Sequence, residues 1–163
     1  MIMIDLPFPE LAIGQRKESR GRTVTETDVV NFCMLTGNWL ELHSNVEFAK
    51  HTKYGQRLVQ GSLVFSIVNA LLPFDPSVIE AFYGVDRLRF IRPTFIGDTL
   101  RARSEIIRLK SHKEKHGVAT SLLTGHNQRG EIVMSCEFSL LVRNARLLPE
   151  MAANWNNDHE LLE

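Results

Sequence analysis

Two short stretches hold groups of the kind that could do chemistry. The first runs from Asn38 to Tyr54, keeps neither a helical nor a strand period, and contains Asn38, Trp39, Glu41 and His43. An imidazole can take and release a proton near neutral pH. A carboxamide offers a lone pair and two N–H donors but no titratable proton. The second stretch is the start of the apolar run Gly61 to Leu72, which Pro73 ends. If this run is helical, its first turn presents unpaired backbone N–H groups near Gly61 and Ser62, at the positive end of the helix dipole. A buried helix start of that kind can hold an oxyanion.

The elements that must position these groups follow from pattern. Thr25-Glu26-Thr27-Asp28 places a threonine three residues before an acid, ahead of an apolar run, which is an aspartate variant of the capping box. Val29, Phe32, Cys33 and Thr36 continue at helical spacing, so a helix is predicted over 26–36, and Gly37 can stop it in a left-handed conformation. A helical turn is expected over Val46 to Lys50, before Gly55 breaks the pattern. The run from Gly61 is apolar nearly all round, so as a helix it must be sheathed by other structure.

The second half reads as sheet. Strands are predicted over Asp86 to Arg92, ending at Pro93, over Leu100 to Ile106, over Val118 to Leu123 and over Ile132 to Val142. In the last of these, Ile132, Met134, Cys136, Phe138, Leu140 and Val142 hold period two, so one face is core. Short connections, such as the turn Asn127 to Gly130, favour antiparallel pairing over parallel crossovers. Gly14 to Val24 is short and polar, no internal repeat is visible, and the tail from 149 to 163 is expected to dock loosely or fray.

Composition fits one globular domain: 163 residues, 44% hydrophobic and 23% charged. Nineteen basic residues balance nineteen acidic ones, so no net field argues for nucleic acid or a membrane surface. Cys33 and Cys136 lie in apolar surroundings without metal-ligand spacing and read as buried thiols. His51, His112, His116, His126 and His159 lie on charged or loop segments and are expected at the surface, with His112 to His116 a solvated turn and no metal site. The apolar start, Met1 to Phe8, is too short for a leader or a span, so a soluble cytoplasmic protein is expected.

Thr36-Gly37-Asn38-Trp39-Leu40-Glu41-Leu42-His43, then Glu47 to Gly55, then Gln60-Gly61-Ser62-Leu63, resembles the signature of the MaoC-like hydratases and dehydratases. The 18-residue interval from His43 to Gly61 is similar to that family's, as are Arg89 to Pro93 and Phe95 to Asp98. The likeness runs from about Gly14 to Val142. It implies an α+β hot-dog domain over 1–148, in which an antiparallel sheet wraps a central apolar helix. The residues also depart from the signature: Asn38 stands at the catalytic aspartate position, Leu40-Glu41 at an asparagine-proline pair, and Gln60 at a histidine. Asn69 maps to a polar helix position.

The resemblance implies a hydro-lyase that interconverts 3-hydroxyacyl and enoyl thioesters of coenzyme A or acyl carrier protein, with no cofactor. His43 would act as general base, Asn38 would orient water, and the N–H groups of Gly61 or Ser62 would hold the thioester oxygen. Glu41 is a second candidate carboxylate, although it reads more simply as a solvated loop acid. Trp39 reads as a packing residue ahead of an acyl-binding wall. Because Asn38 replaces a carboxylate, a second reading is a non-catalytic, acyl-binding subunit of a heterodimer with another MaoC-like chain. A hot-dog thioesterase is a third. A homodimer or higher oligomer is expected, since one hot-dog unit leaves a sheet edge unpaired.

Overall fold

The computed structural model describes residues 3–147. After a single 3-10 turn at Phe8–Glu10 come the short strands β1 (Arg16–Glu18) and β2 (Arg22–Thr23). Three helices follow: α1 (Glu26–Thr36), α2 (Glu41–Ser44) and α3 (Val46–Lys50). The apolar helix α4 (Gly61–Ala70) precedes four long strands, β3 (Ile79–Phe90), β4 (Thr99–His112), β5 (His116–His126) and β6 (Ile132–Arg143). The C-terminal segment 149–163, and His159 with it, lies outside the described residues.

Helix α1 begins and ends as its residues dictate. Thr25 Oγ1 accepts from the Asp28 N–H at 3.3 Å while Asp28 accepts from the Thr25 N–H at 2.8 Å, closing the capping box. Gly37, at φ 71°, takes the left-handed conformation and donates to the Cys33 carbonyl. Val29 and Cys33 are the buried residues of this helix.

The sheet is antiparallel in the order β1-β4-β5-β6-β3, with β2 also paired to β4. β6 is interior to this order, and its inward row Met134, Cys136, Phe138, Leu140 and Val142 is at most 1% exposed. Its outward row is covered too, although it carries polar residues. Thr120 and Ser139 hydroxyls bond at 2.9 Å, and Glu137 receives Arg108 at 3.1 Å and also Arg87. A charged group is tolerated there because each is paired.

Helix α4 lies against the inward face, burying Leu63, Val64, Ile67 and Val68. Val68 approaches Gly125 so closely that a Cβ there would sit 2.6 Å from it. The expected sheathing of the apolar helix is thus supplied by the sheet on one side. No helix among the described residues is long and apolar enough to cross a membrane.

Three expectations are corrected, one on β3 and two on histidines. β3 starts at Ile79 rather than Asp86 and stops at Phe90, because its pairing with β6 slips at three points and hides the alternation. The polar stretch from Gly14 to Val24, for which no element was predicted, holds β1 and β2. His126 is buried at 7% exposure, with its Nε2 2.9 Å from Thr124 Oγ1, and is not a surface residue. His112 and His116 are half-buried at the strand ends that flank the turn, His116 lying 3.4 Å from Glu80. Cys33 and Cys136 are free and buried, as expected.

Candidate functional site

The irregular stretch after α1 is held by local hydrogen bonds. The Asn38 N–H donates to Thr36 Oγ1 at 3.3 Å, and the Trp39 N–H donates to the Gly37 carbonyl at 3.0 Å. Ser44 Oγ donates back to the Trp39 carbonyl at 3.0 Å, which folds the chain into α2. Asn38 is half-buried. Trp39 is 53% exposed, so the packing role expected for it is not what it does within this chain.

His43 sits in α2 with its ring half-buried. Its Nδ1 lies 2.8 Å from the Leu58 carbonyl oxygen. A carbonyl only accepts, so Nδ1 carries the proton and, in the neutral ring, Nε2 keeps its lone pair. Leu58 is clamped in turn: its N–H donates to the Leu42 carbonyl at 3.1 Å, and it forms a bridge with Phe95. The next residue continues the contact, with the Val59 N–H donating to the Thr94 carbonyl at 2.9 Å. The tautomer of His43 is therefore set by backbone anchored to the segment following β3.

Glu41, proposed as a possible carboxylate, is exposed and accepts from Asn45 Nδ2 at 3.1 Å. Asn45 is itself committed as the cap of α3, accepting from the Phe48 N–H at 3.1 Å.

Three residues beyond Leu58 comes the start of α4. Gln60 at its cap position makes no side-chain capping bond and is 1% exposed. Its Nε2 donates to Cys33 Sγ at 3.0 Å and to the Val29 carbonyl at 3.4 Å, tying the helix start to α1, while its Oε1 is buried without a described partner. With no side chain capping the first turn, the N–H groups there keep the anion-binding character of a helix start. Ser62 is exposed at this end, and Asn69, two turns on, has a buried Oδ1 that lacks a described partner.

Gly61 meets an aromatic ring. A Cβ at this position would stand 2.8 Å from Phe90 Cε2 and 3.0 Å from both Cδ2 and Cζ. No residue larger than glycine fits there unless Phe90 moves. The structure thus joins His43 to the Gly61 segment through Leu58, and adds Leu58, Gln60 and Phe90 to the neighbourhood. Leu58 acts through its backbone carbonyl, for which residue type gives no signal. Gln60 was noticeable only as a departure from the signature.

Other features of the molecule lie apart from this neighbourhood. A cleft of about 490 Å³ at β1, β4 and β5 is lined by Arg16, Lys17, Arg103 and Glu105. Its charges are mutually satisfied, Arg16 meeting Glu105 at 2.9 Å and Arg103 meeting Glu18 at 3.1 Å, and it shares no residue with His43 or Gly61. Among the described residues no group of three or more His, Cys, Asp or Glu could hold a metal ion.

The MaoC-like domain model matches residues 10–127, which include every group just described. The chain belongs to the MaoC-like family. It is 36% identical over 98 residues to protein MaoC of Klebsiella aerogenes, covering 59% of this chain but only 29% of that protein. It is 26% identical over 135 residues to the (R)-specific enoyl-CoA hydratase of Rhodospirillum rubrum, covering 83% of this chain and 90% of the relative. The crystal structure of the monoamine oxidase regulatory protein of Archaeoglobus superimposes with a TM-score of 0.82 at 39% identity, covering 89% of this chain and 99% of that one. A Mycobacterium tuberculosis protein described as having a double hotdog fold matches with a TM-score of 0.78 at 21% identity, over 86% of this chain and 44% of that one. The MaoC-like domain is thus an α+β hot-dog fold, and members of its family are hydratases and dehydratases.

Proposed function

We propose that this MaoC-like chain is a hydro-lyase that interconverts 3-hydroxyacyl and enoyl thioesters of coenzyme A or acyl carrier protein. The observation that carries the reading is the bond from His43 Nδ1 to the carbonyl of Leu58, three residues before the start of α4, which leaves Nε2 as the free base. In the hydration direction, Nε2 removes a proton from water as its oxygen bonds to the β carbon. The electrons of the double bond move toward the thioester carbonyl, whose oxygen is held by the N–H groups of Gly61 or Ser62. The α carbon then takes a proton and the carbonyl reforms. A donor of this type is worth about 3 kcal/mol in the transition state. Because Asn38 has no titratable proton, it orients the water and His43 returns the proton itself.

A second reading rests on Asn38. If the second proton transfer requires a carboxylate, the chain is the acyl-binding subunit of a heterodimer and hydrates nothing alone. Purified protein assayed alone with crotonyl-CoA and with branched and longer enoyl-CoAs separates the two. Turnover that follows enzyme concentration supports the hydro-lyase. Thioester binding without turnover supports the subunit. Absence of both refutes the thioester site.

A further inference from the structure

Resting on the thioester site proposed above, we infer that Phe90 is a specificity-determining residue, which selects against acyl groups with two branches at the α carbon. β3 places Phe90 opposite Met134, a residue of the inward row of β6, so its ring is on the helix side of the sheet. The Gly61 geometry gives the ring's orientation. Three adjacent ring carbons are nearly equidistant from the Cβ position, so the ring turns its face, not its edge, to Gly61. Phe90 is nevertheless 49% exposed, which leaves much of the ring free to meet a ligand.

A carbonyl oxygen held at the first turn of α4 brings its α carbon beside this ring. A flat apolar wall accepts a straight acyl chain at van der Waals separation, roughly 3.5–4.0 Å between carbons. One of the two positions that complete a tetrahedral α carbon points out of the chain's plane toward the wall, so an α carbon bearing two methyl branches must place one of them there. The ring cannot retreat over the helix, since it is already in contact with Gly61. The penalty for one misplaced methyl in such a site is about 10- to 200-fold.

The test is calorimetric binding of butanoyl-CoA and 2,2-dimethylpropanoyl-CoA to the wild-type protein, Phe90→Ala and Phe90→Leu, with circular dichroism to verify folding. Neither ligand is a substrate for hydration, so the measurement does not depend on turnover. The wild type is expected to prefer the straight chain by about tenfold or more. Phe90→Ala should bring the two affinities close together, with Phe90→Leu intermediate and informative even if the alanine variant fails to fold. A wild type without preference, or a folded variant that keeps the full preference, overturns the role of Phe90 and leaves the thioester site standing. Failure of both ligands to bind the wild type overturns the thioester site and this inference together. Dehydration of 3-hydroxybutanoyl-CoA, measured separately, reports on the hydro-lyase reading alone.

Discussion

Replacing His43 separates structural from chemical loss, because the two have different sizes here. The ring donates one hydrogen bond, of 2.8 Å, from a half-buried position to the Leu58 carbonyl. Net, such a bond contributes about 0.5–1.5 kcal/mol. For a domain of this length each kcal/mol moves Tm by roughly 2–4 °C. His43→Ala should therefore lower Tm by only a few degrees. Loss of a general base removes about 10²- to 10⁴-fold of rate, which at 1.36 kcal/mol per decade is roughly 2.7–5.5 kcal/mol of barrier. His43→Asn sharpens the contrast, since an asparagine Nδ2 can take over the Nδ1 donation to Leu58 but supplies no base. It should keep the wild-type Tm and still lose at least about 100-fold in crotonyl-CoA hydration. A folded His43→Asn that hydrates at near-normal rate would refute the assignment of Nε2 as the base.

The proposed chemistry and fold make three further predictions. Asn38→Asp should preserve or raise hydration under the hydro-lyase reading and create it under the subunit reading, while Glu41→Gln, at an exposed residue engaged with Asn45, should leave the rate unchanged; abolition by Glu41→Gln would make Glu41 the missing carboxylate. β3 ends the sheet order with Phe82 and Tyr83 each 56% exposed, so sedimentation should show at least a dimer, and Tyr83→Lys should weaken it; a wild-type species of about 18.6 kDa at micromolar concentration would count against this. Burial pushes the Cys136 thiol up to about 11, so the folded state holds its proton where the unfolded chain, near 8.5, has begun to lose it. That contribution to stability is complete below the unfolded value and is lost as pH rises through the folded one, so alkaline titration should destabilise the protein and Cys136→Ser should flatten the slope.

What the sequence displayed depends on whether each element keeps its period. The helix over 26–36 was legible to the residue because its start is a capping box and its stop a left-handed glycine. β6 was legible because Ile132, Met134, Cys136, Phe138, Leu140 and Val142 repeat at period two over 11 residues. The early half of β3 was not, since register shifts between Ile79 and Ala81, Phe82 and Gly84, and Asp86 and Arg89 break the alternation. A similar shift between Ile106 and Arg108 hid the far half of β4. At the candidate site, His43 and Gly61 were visible by type and spacing. The Leu58 carbonyl was not, since a backbone acceptor can belong to any residue. Nor did the requirement for glycine at position 61 show its steric cause, because Phe90 reaches it from 29 residues along the chain.

The way His43 is held bears on what Asn38 must do. A carboxylate near a catalytic histidine can serve two ends, fixing the ring's tautomer and handling a proton itself. Here the first is met without it, for the Leu58 carbonyl already accepts from Nδ1, and Leu58 is pinned by Leu42 on one side and Phe95 on the other. Only the second end remains open. Addition of water gives His43 one proton and consumes one at the α carbon, so a base that returns the proton it took closes the balance without a second acid. Under the hydro-lyase reading Asn38 has to hold the water while the imidazole makes both transfers, a task within the reach of an amide. The order of the two transfers is what distinguishes the readings: a single shuttling group needs the water oxygen and the α carbon on the same face of the double bond. Hydration in deuterium oxide should accordingly place oxygen and deuterium on one face, and addition to opposite faces would require a second proton carrier that Asn38 cannot be.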